Sequence, residues 1–135
     1  MTRLTFNEVS MYPLWTPDGK RVAFAKRADS GPEVYLKASD GTGEEEKIGS
    51  PPNRVFLPWS WSSDGNTLAL FELSLSGDTG YDIGTLSMKG KHEWRPLLNQ
   101  KYIEFQPKIS PDGKWLAYTS MESGNSRFMS VRFPT

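Results

Sequence analysis

Three stretches of the chain carry one order of polar and apolar positions. Trp15-Thr16-Pro17-Asp18-Gly19-Lys20-Arg21-Val22-Ala23-Phe24, Trp61-Ser62-Ser63-Asp64-Gly65-Asn66-Thr67-Leu68-Ala69-Leu70 and Ile109-Ser110-Pro111-Asp112-Gly113-Lys114-Trp115-Leu116-Ala117-Tyr118 align without gaps on an Asp-Gly pair. The aspartates recur at intervals of 46 and 48 residues. Apolar runs on either side of each turn are short and β-rich, and nothing reads as an amphipathic helix. A strand-type repeat of this length indicates β-propeller blades, since helical repeats are mostly shorter and keep a 3.6-residue period.

Each repeat position has a physical task. Asp-Gly between apolar runs makes a tight hairpin, because Gly accepts positive φ and the Asp carboxylate bonds nearby N–H groups. Pro17 and Pro111 preset φ at the turn entrance, and the hydroxyls of Thr16, Ser62 and Ser110 can bond the turn backbone. Ala23, Ala69 and Ala117 are small enough for close packing between neighbouring sheets. A second hairpin follows in the first two copies, at Glu33–Lys37 before Asp40-Gly41 and at Tyr81–Leu86 before Lys89-Gly90. Outer strands are expected at 46–48 and 94–98, which completes a four-stranded up-and-down blade. The third copy offers strands at about 103–109, 114–120 and 127–133, and no fourth. Thr2–Thr5 has no inner partner and reads as an orphan outer strand.

The expectation is an all-β, single-domain β-propeller segment over 1–135. Its four-stranded antiparallel blades fall at about 7–50, 51–100 and 101–135, and 1–6 is the spare strand. The stretch Pro13 to Phe24, with Val34-Tyr35 and Asp40-Gly41, resembles the blade repeat of TolB-like β-propellers. The second copy departs at Ser63 and Trp59, and the third at Ile109, without disturbing the period. The likeness is strongest to propeller segments carboxy-terminal to some bacterial serine/threonine kinases. Related propellers cap prolyl-oligopeptidase-type hydrolases. Full propellers of this kind generally have six blades, twice the number found here; the expectation is that two chains associate about a two-fold axis to close a ring, with Thr2–Thr5 completing the partner's third blade, and the alternative is that the chain is a fragment of a longer propeller.

Composition narrows the functional classes. Lys plus Arg and Asp plus Glu are 16 each, so the net charge is zero. A nucleic-acid or membrane-surface footprint needs a basic excess and is not expected. Glu44-Glu45-Glu46 reads as a solvated turn or strand edge. With no cysteine, disulfides, thiolate metal sites and a Cys nucleophile are excluded. Met1–Thr5 lacks an apolar leader core, and no apolar run reaches bilayer length. The sequence as written points to the cytoplasm, or to the periplasm if a leader was removed.

Catalytic patterns are absent. His92, the single histidine, lies in the polar loop 89–93 and reads as a turn residue rather than a base. Neither a Gly-x-Ser-x-Gly elbow nor a phosphate loop occurs. Glu72, Asp78 and Asp82 flank a Gly-rich stretch that could meet Ca²⁺, but a longer loop between strands is the favoured reading. No metal and no cofactor is expected. Trp15 and Trp61 share a repeat position and are read as blade-packing residues. Trp94 and Trp115 are read likewise, with a glycan- or peptide-stacking surface as the alternative.

Inner strands of a propeller line its central channel. The ligand-binding candidates are therefore Asn7, Glu8, Asn53, Arg54, Lys101, Tyr102, Glu104 and Gln106. This mixture of charges, amides and rings suits a peptide or small polar ligand. The expected function is a non-catalytic binding or scaffold module that makes protein or peptide contacts. A hydrolase or lyase acting in the channel of an assembled ring, or a kinase sensor segment, are the alternatives.

Overall fold

The computed structural model describes residues 1–6, 9–29, 31–49, 54–74 and 80–133. Its strands form three antiparallel sheets. The first holds β1 (Ser10–Trp15), β2 (Arg21–Ala28), β3 (Gly31–Ala38) and β4 (Glu46–Gly49) in sequential order. The second holds β5 (Arg54–Trp61), β6 (Thr67–Ser74), β7 (Tyr81–Ser87) and β8 (Trp94–Leu98). The third holds, among the described residues, β9 (Glu104–Ile109), β10 (Trp115–Ser120) and β11 (Arg127–Arg132), with β10 at its centre. These are the expected propeller blades, and their strands fall within about two residues of the positions predicted from the repeat, except that Thr2–Thr5, expected as an outer strand, forms none.

The three Asp-Gly turns are chemically superimposable. Thr16 Oγ1 donates to Asp18 Oδ1 at 2.7 Å and accepts the Arg21 N–H at 3.1 Å. Ser62 does the same with Asp64 and Thr67 at 2.6 and 3.0 Å, and Ser110 with Asp112 and Trp115 at 2.5 and 3.0 Å. Each Asp Oδ1 also accepts an N–H two residues on, from Lys20, Asn66 or Lys114. Gly19, Gly65 and Gly113 all take φ near 70°, a value costly for any residue with a Cβ. These bonds stabilise the ionised carboxylates: Asp18 and Asp112 are held below the usual range, and Asp64 is lowered to about 2.

The core lies between blades rather than inside them. Alternation along β2 and β6 sends residues to opposite faces. One face of the first blade (Ala23, Val34, Leu36, Ile48) meets Phe56, Leu68, Leu70 and Leu86 of the second. The other face of the second (Ala69, Phe71, Ile83) meets Leu116 and Phe133 of the third. Ala23 and Ala69 are fully buried, which fits the expected close approach of sheets. Ser60 adds a polar tie, donating to the Pro107 carbonyl at 2.7 Å and accepting the Ile109 N–H.

The tryptophans divide. Trp61 packs against the core of the first two blades. Trp94 covers Gly84 so closely that a Cβ there would lie 1.9 Å from the indole, and it packs on Phe56 at 4.5 Å. Trp15 corrects the expectation of blade packing. It is 61 % exposed, because the face of the first blade that carries it meets no neighbouring sheet among the described residues. Trp115 is also exposed, with Arg132 over its ring at 6.0 Å.

Candidate ligand-binding site

The inner strands β1, β5 and β9 each break register once against their neighbours. In β1 and β9 the break holds a non-glycine residue in the left-handed region, Tyr12 and Gln106, both at φ 57°. The two occupy one repeat position, six residues before the turn aspartate, and each precedes a proline. Such a bulge re-aims a side chain out of the strand's alternation. The equivalent residue of β5 is Pro58, whose ring locks φ negative, and there the shift falls between Pro58 and Ser60.

Beside these bulges the three blades enclose an apolar cup of about 410 Å³. Tyr12, Leu57, Phe71 and Tyr81 come from the first two blades, and Ile103, Phe105 and Met121 from the third. Rings run along it from Tyr12 to Trp59 (6.2 Å), Phe71 (5.4 Å) and Tyr81 (5.6 Å). Tyr12 and Ile103 remain 41 % and 40 % exposed, so the cup opens to solvent through large apolar groups. Gly80 lets its segment close on Ile103, since a Cβ would come within 2.9 Å of that side chain.

Charged groups stand at the ends of the same strands. Arg54, half exposed, pairs with the buried Glu72. Lys101 lies over the Tyr102 ring at 5.2 Å, and Gln106 accepts from Thr119 Oγ1 at 3.1 Å. Glu104 is only 3 % exposed and one of its carboxylate oxygens has no hydrogen-bond partner. Burial, then the charges of Asp82 and Glu122, raise its pKa to about 7. Burial and the same Glu104 and Glu122 push the Tyr118 phenol upward.

Of the channel candidates, Arg54, Glu104 and Gln106 are brought onto inner strands, with Lys101 and Tyr102 on the connection into β9. Asn7, Glu8 and Asn53 lie outside the described residues, as does Asp78 of the weighed Ca²⁺ trio. Glu72 already meets the Arg54 cation, and no cluster of three ligating side chains suited to a metal occurs among the described residues. His92 bridges blades: its Nδ1 lies 3.2 Å from the Ser87 carbonyl and its Nε2 3.5 Å from Glu46. The cup itself escaped sequence reasoning. Its residues come from six separate segments, and the left-handed bulge at Tyr12 leaves no compositional mark.

The sequence matches the TolB beta propeller domain over residues 2–133. The chain belongs to this family. It is similar to the Tol-Pal system protein TolB of Alcanivorax borkumensis, 40 % identical over 70 residues, covering 51 % of this chain and 16 % of that protein. An uncharacterized peptidase, YuxL of Bacillus subtilis, is 28 % identical over 142 residues, covering 80 % and 21 %. The crystal structure of TolB from Acinetobacter baumannii superposes with a TM-score of 0.77 at 26 % identity, over 95 % of this chain and 31 % of that one. The chain thus spans about a fifth or less of these curated relatives. Among the described residues no helix is long and apolar enough to cross a membrane.

Proposed function

We propose that this propeller segment is a binding module whose inner-strand cup takes an aliphatic or aromatic side chain of a peptide or protein partner. The observation that carries the reading is the cup itself, lined by apolar side chains of all three blades and open through Tyr12 and Ile103. Exposed aromatic surface in a concave site is the usual seat of binding energy. Arg54, Lys101, Tyr102 and Gln106 then serve the polar backbone of the bound segment. A phage-displayed peptide library selected on the protein should yield sequences sharing one large apolar residue. Ile103→Ser and Tyr12→Ala should each weaken a selected peptide at least tenfold, with Trp115→Ala, outside the cup, as the unaffected control. Selected peptides that bind both cup variants as tightly as the native chain would defeat the reading.

A second reading, an enzyme, is favoured by Glu104. A buried carboxyl with a pKa of about 7 beside an acidic neighbour is the state from which general acid–base catalysis is drawn. Turnover of ester, peptide or glycoside substrates that vanishes in Glu104→Gln would support it over simple binding.

A further inference from the structure

We propose, building on the cup reading above, that the bound segment carries a lysine or arginine beside its apolar anchor, and that Glu104 and Glu122 hold this cation at the third-blade wall of the cup. The sequence around the cup sets the chemistry. Four of its lining residues are each followed directly by an acid: Phe71 by Glu72, Tyr81 by Asp82, Ile103 by Glu104 and Met121 by Glu122. The apolar wall therefore runs straight into carboxylates where the second and third blades meet. Glu72 is answered by the Arg54 guanidinium. Glu104 and Glu122 form no ion pair among the described residues.

Strand register brings these two acids together. Glu104 pairs with Ser120, which alternation places on the face of β10 that sends Leu116 to the second blade. Ser120 Oγ in turn accepts the Glu122 N–H at 3.2 Å. Glu104 is 3 % exposed and its Oε2 has no hydrogen-bond partner, whereas Glu122 is open to solvent. Burial, then Asp82 and Glu122, raise the Glu104 pKa to about 7, as expected of a negative field that no cation answers. The lysines of β9 and its connection are engaged elsewhere, Lys101 over the Tyr102 ring and Lys108 over Trp59. The acids do not converge as metal ligands, since no cluster of three suited to a metal occurs among the described residues. A long basic side chain fits them instead. Its aliphatic stem lies along Ile103 and Met121 while its charged head meets Glu122 and returns Glu104 to the carboxylate.

Parallel selections of random displayed peptides on two forms of the chain separate the anchor from its neighbour. The native chain is expected to enrich a large apolar residue with Lys or Arg one or two positions away. The double variant Glu104→Gln, Glu122→Gln should keep the apolar residue, which also shows that it is folded, and lose the basic one. A native-selected peptide with glutamine in place of its basic residue should bind the native chain about tenfold more weakly and the double variant no differently. Glu122→Gln alone, at an exposed residue, should already cost the unaltered peptide about threefold. Peptides that share the apolar residue without a basic neighbour, a basic neighbour enriched equally by the double variant, or binding unchanged in Glu122→Gln would overturn the proposal and leave the cup standing. Selected peptides with no common apolar residue would sink the cup reading, and this proposal with it.

Discussion

The second and third blades obey the same turn chemistry and differ in what surrounds them. The second has four strands and a sheet packed on each face, and its central apolar residues, Leu68, Leu70 and Ile83, are fully buried. Among the described residues the third has three strands and a sheet packed on one face. Leu116 on that face is fully buried, while Phe128 and Trp115 across the sheet lie in water. A blade of this kind is thus a local object in its hairpins and a collective object in its stability. Its hydrophobic energy comes from its neighbours, as expected for a stacked repeat.

The largest effect should come from testing one register position in both settings. Ile83→Ala removes a fully buried side chain between blades and should cost about 3 kcal/mol in urea unfolding. Phe128→Ala at the equivalent position should change the stability of the dilute chain by less than about 0.5 kcal/mol, as surface substitutions do. Equal costs at the two positions would break the distinction between the blades.

This asymmetry explains how far the sequence can be read. The turns, strand limits and blade order were legible because each depends on residues within ten positions of one another: hydroxyl, aspartate, glycine, then an alternating run. The burial of a tryptophan was not. Trp15 and Trp61 look alike in sequence, and only the presence or absence of an adjacent sheet separates them. The cup and the buried Glu104 were missed in part for the same reason. Glu104 was placed at the axial end of an inner strand, but its burial depends on packing against the second blade, and its charge state on Asp82 and Glu122, which lie 22 and 18 residues away in sequence.

The junction between the two blades gives the next test, through pH. Glu104 has its pKa raised in the folded state, so folding takes up a proton between the ordinary value of 4.5 and about 7. Stability contributed by the protonated form is complete below that window and is lost as pH rises through it. Glu104→Gln should flatten the pH dependence over the same range and gain about 2 kcal/mol above pH 7 relative to the native chain. Denaturation midpoints that run parallel in the two proteins from pH 5 to 8 would mean that the carboxylate is not buried against the second blade.

The smallest effect sharpens the comparison from the opposite side, because it should be the same in both blades. Ser62 and Ser110 each hold a turn by donating to an aspartate and accepting the N–H that opens the following strand. Neither bond depends on the neighbouring sheet. Ser62→Ala and Ser110→Ala should therefore each cost about 1 kcal/mol, despite the greater exposure of the third blade. Both losses should shrink at low pH, since the lowered pKa values of Asp64 and Asp112 mark bonds made to the ionised carboxylates, and their stabilisation disappears as pH falls through those values. A cost confined to Ser62 would place the turn's worth in its packing. Matched costs would assign it to the hairpin alone.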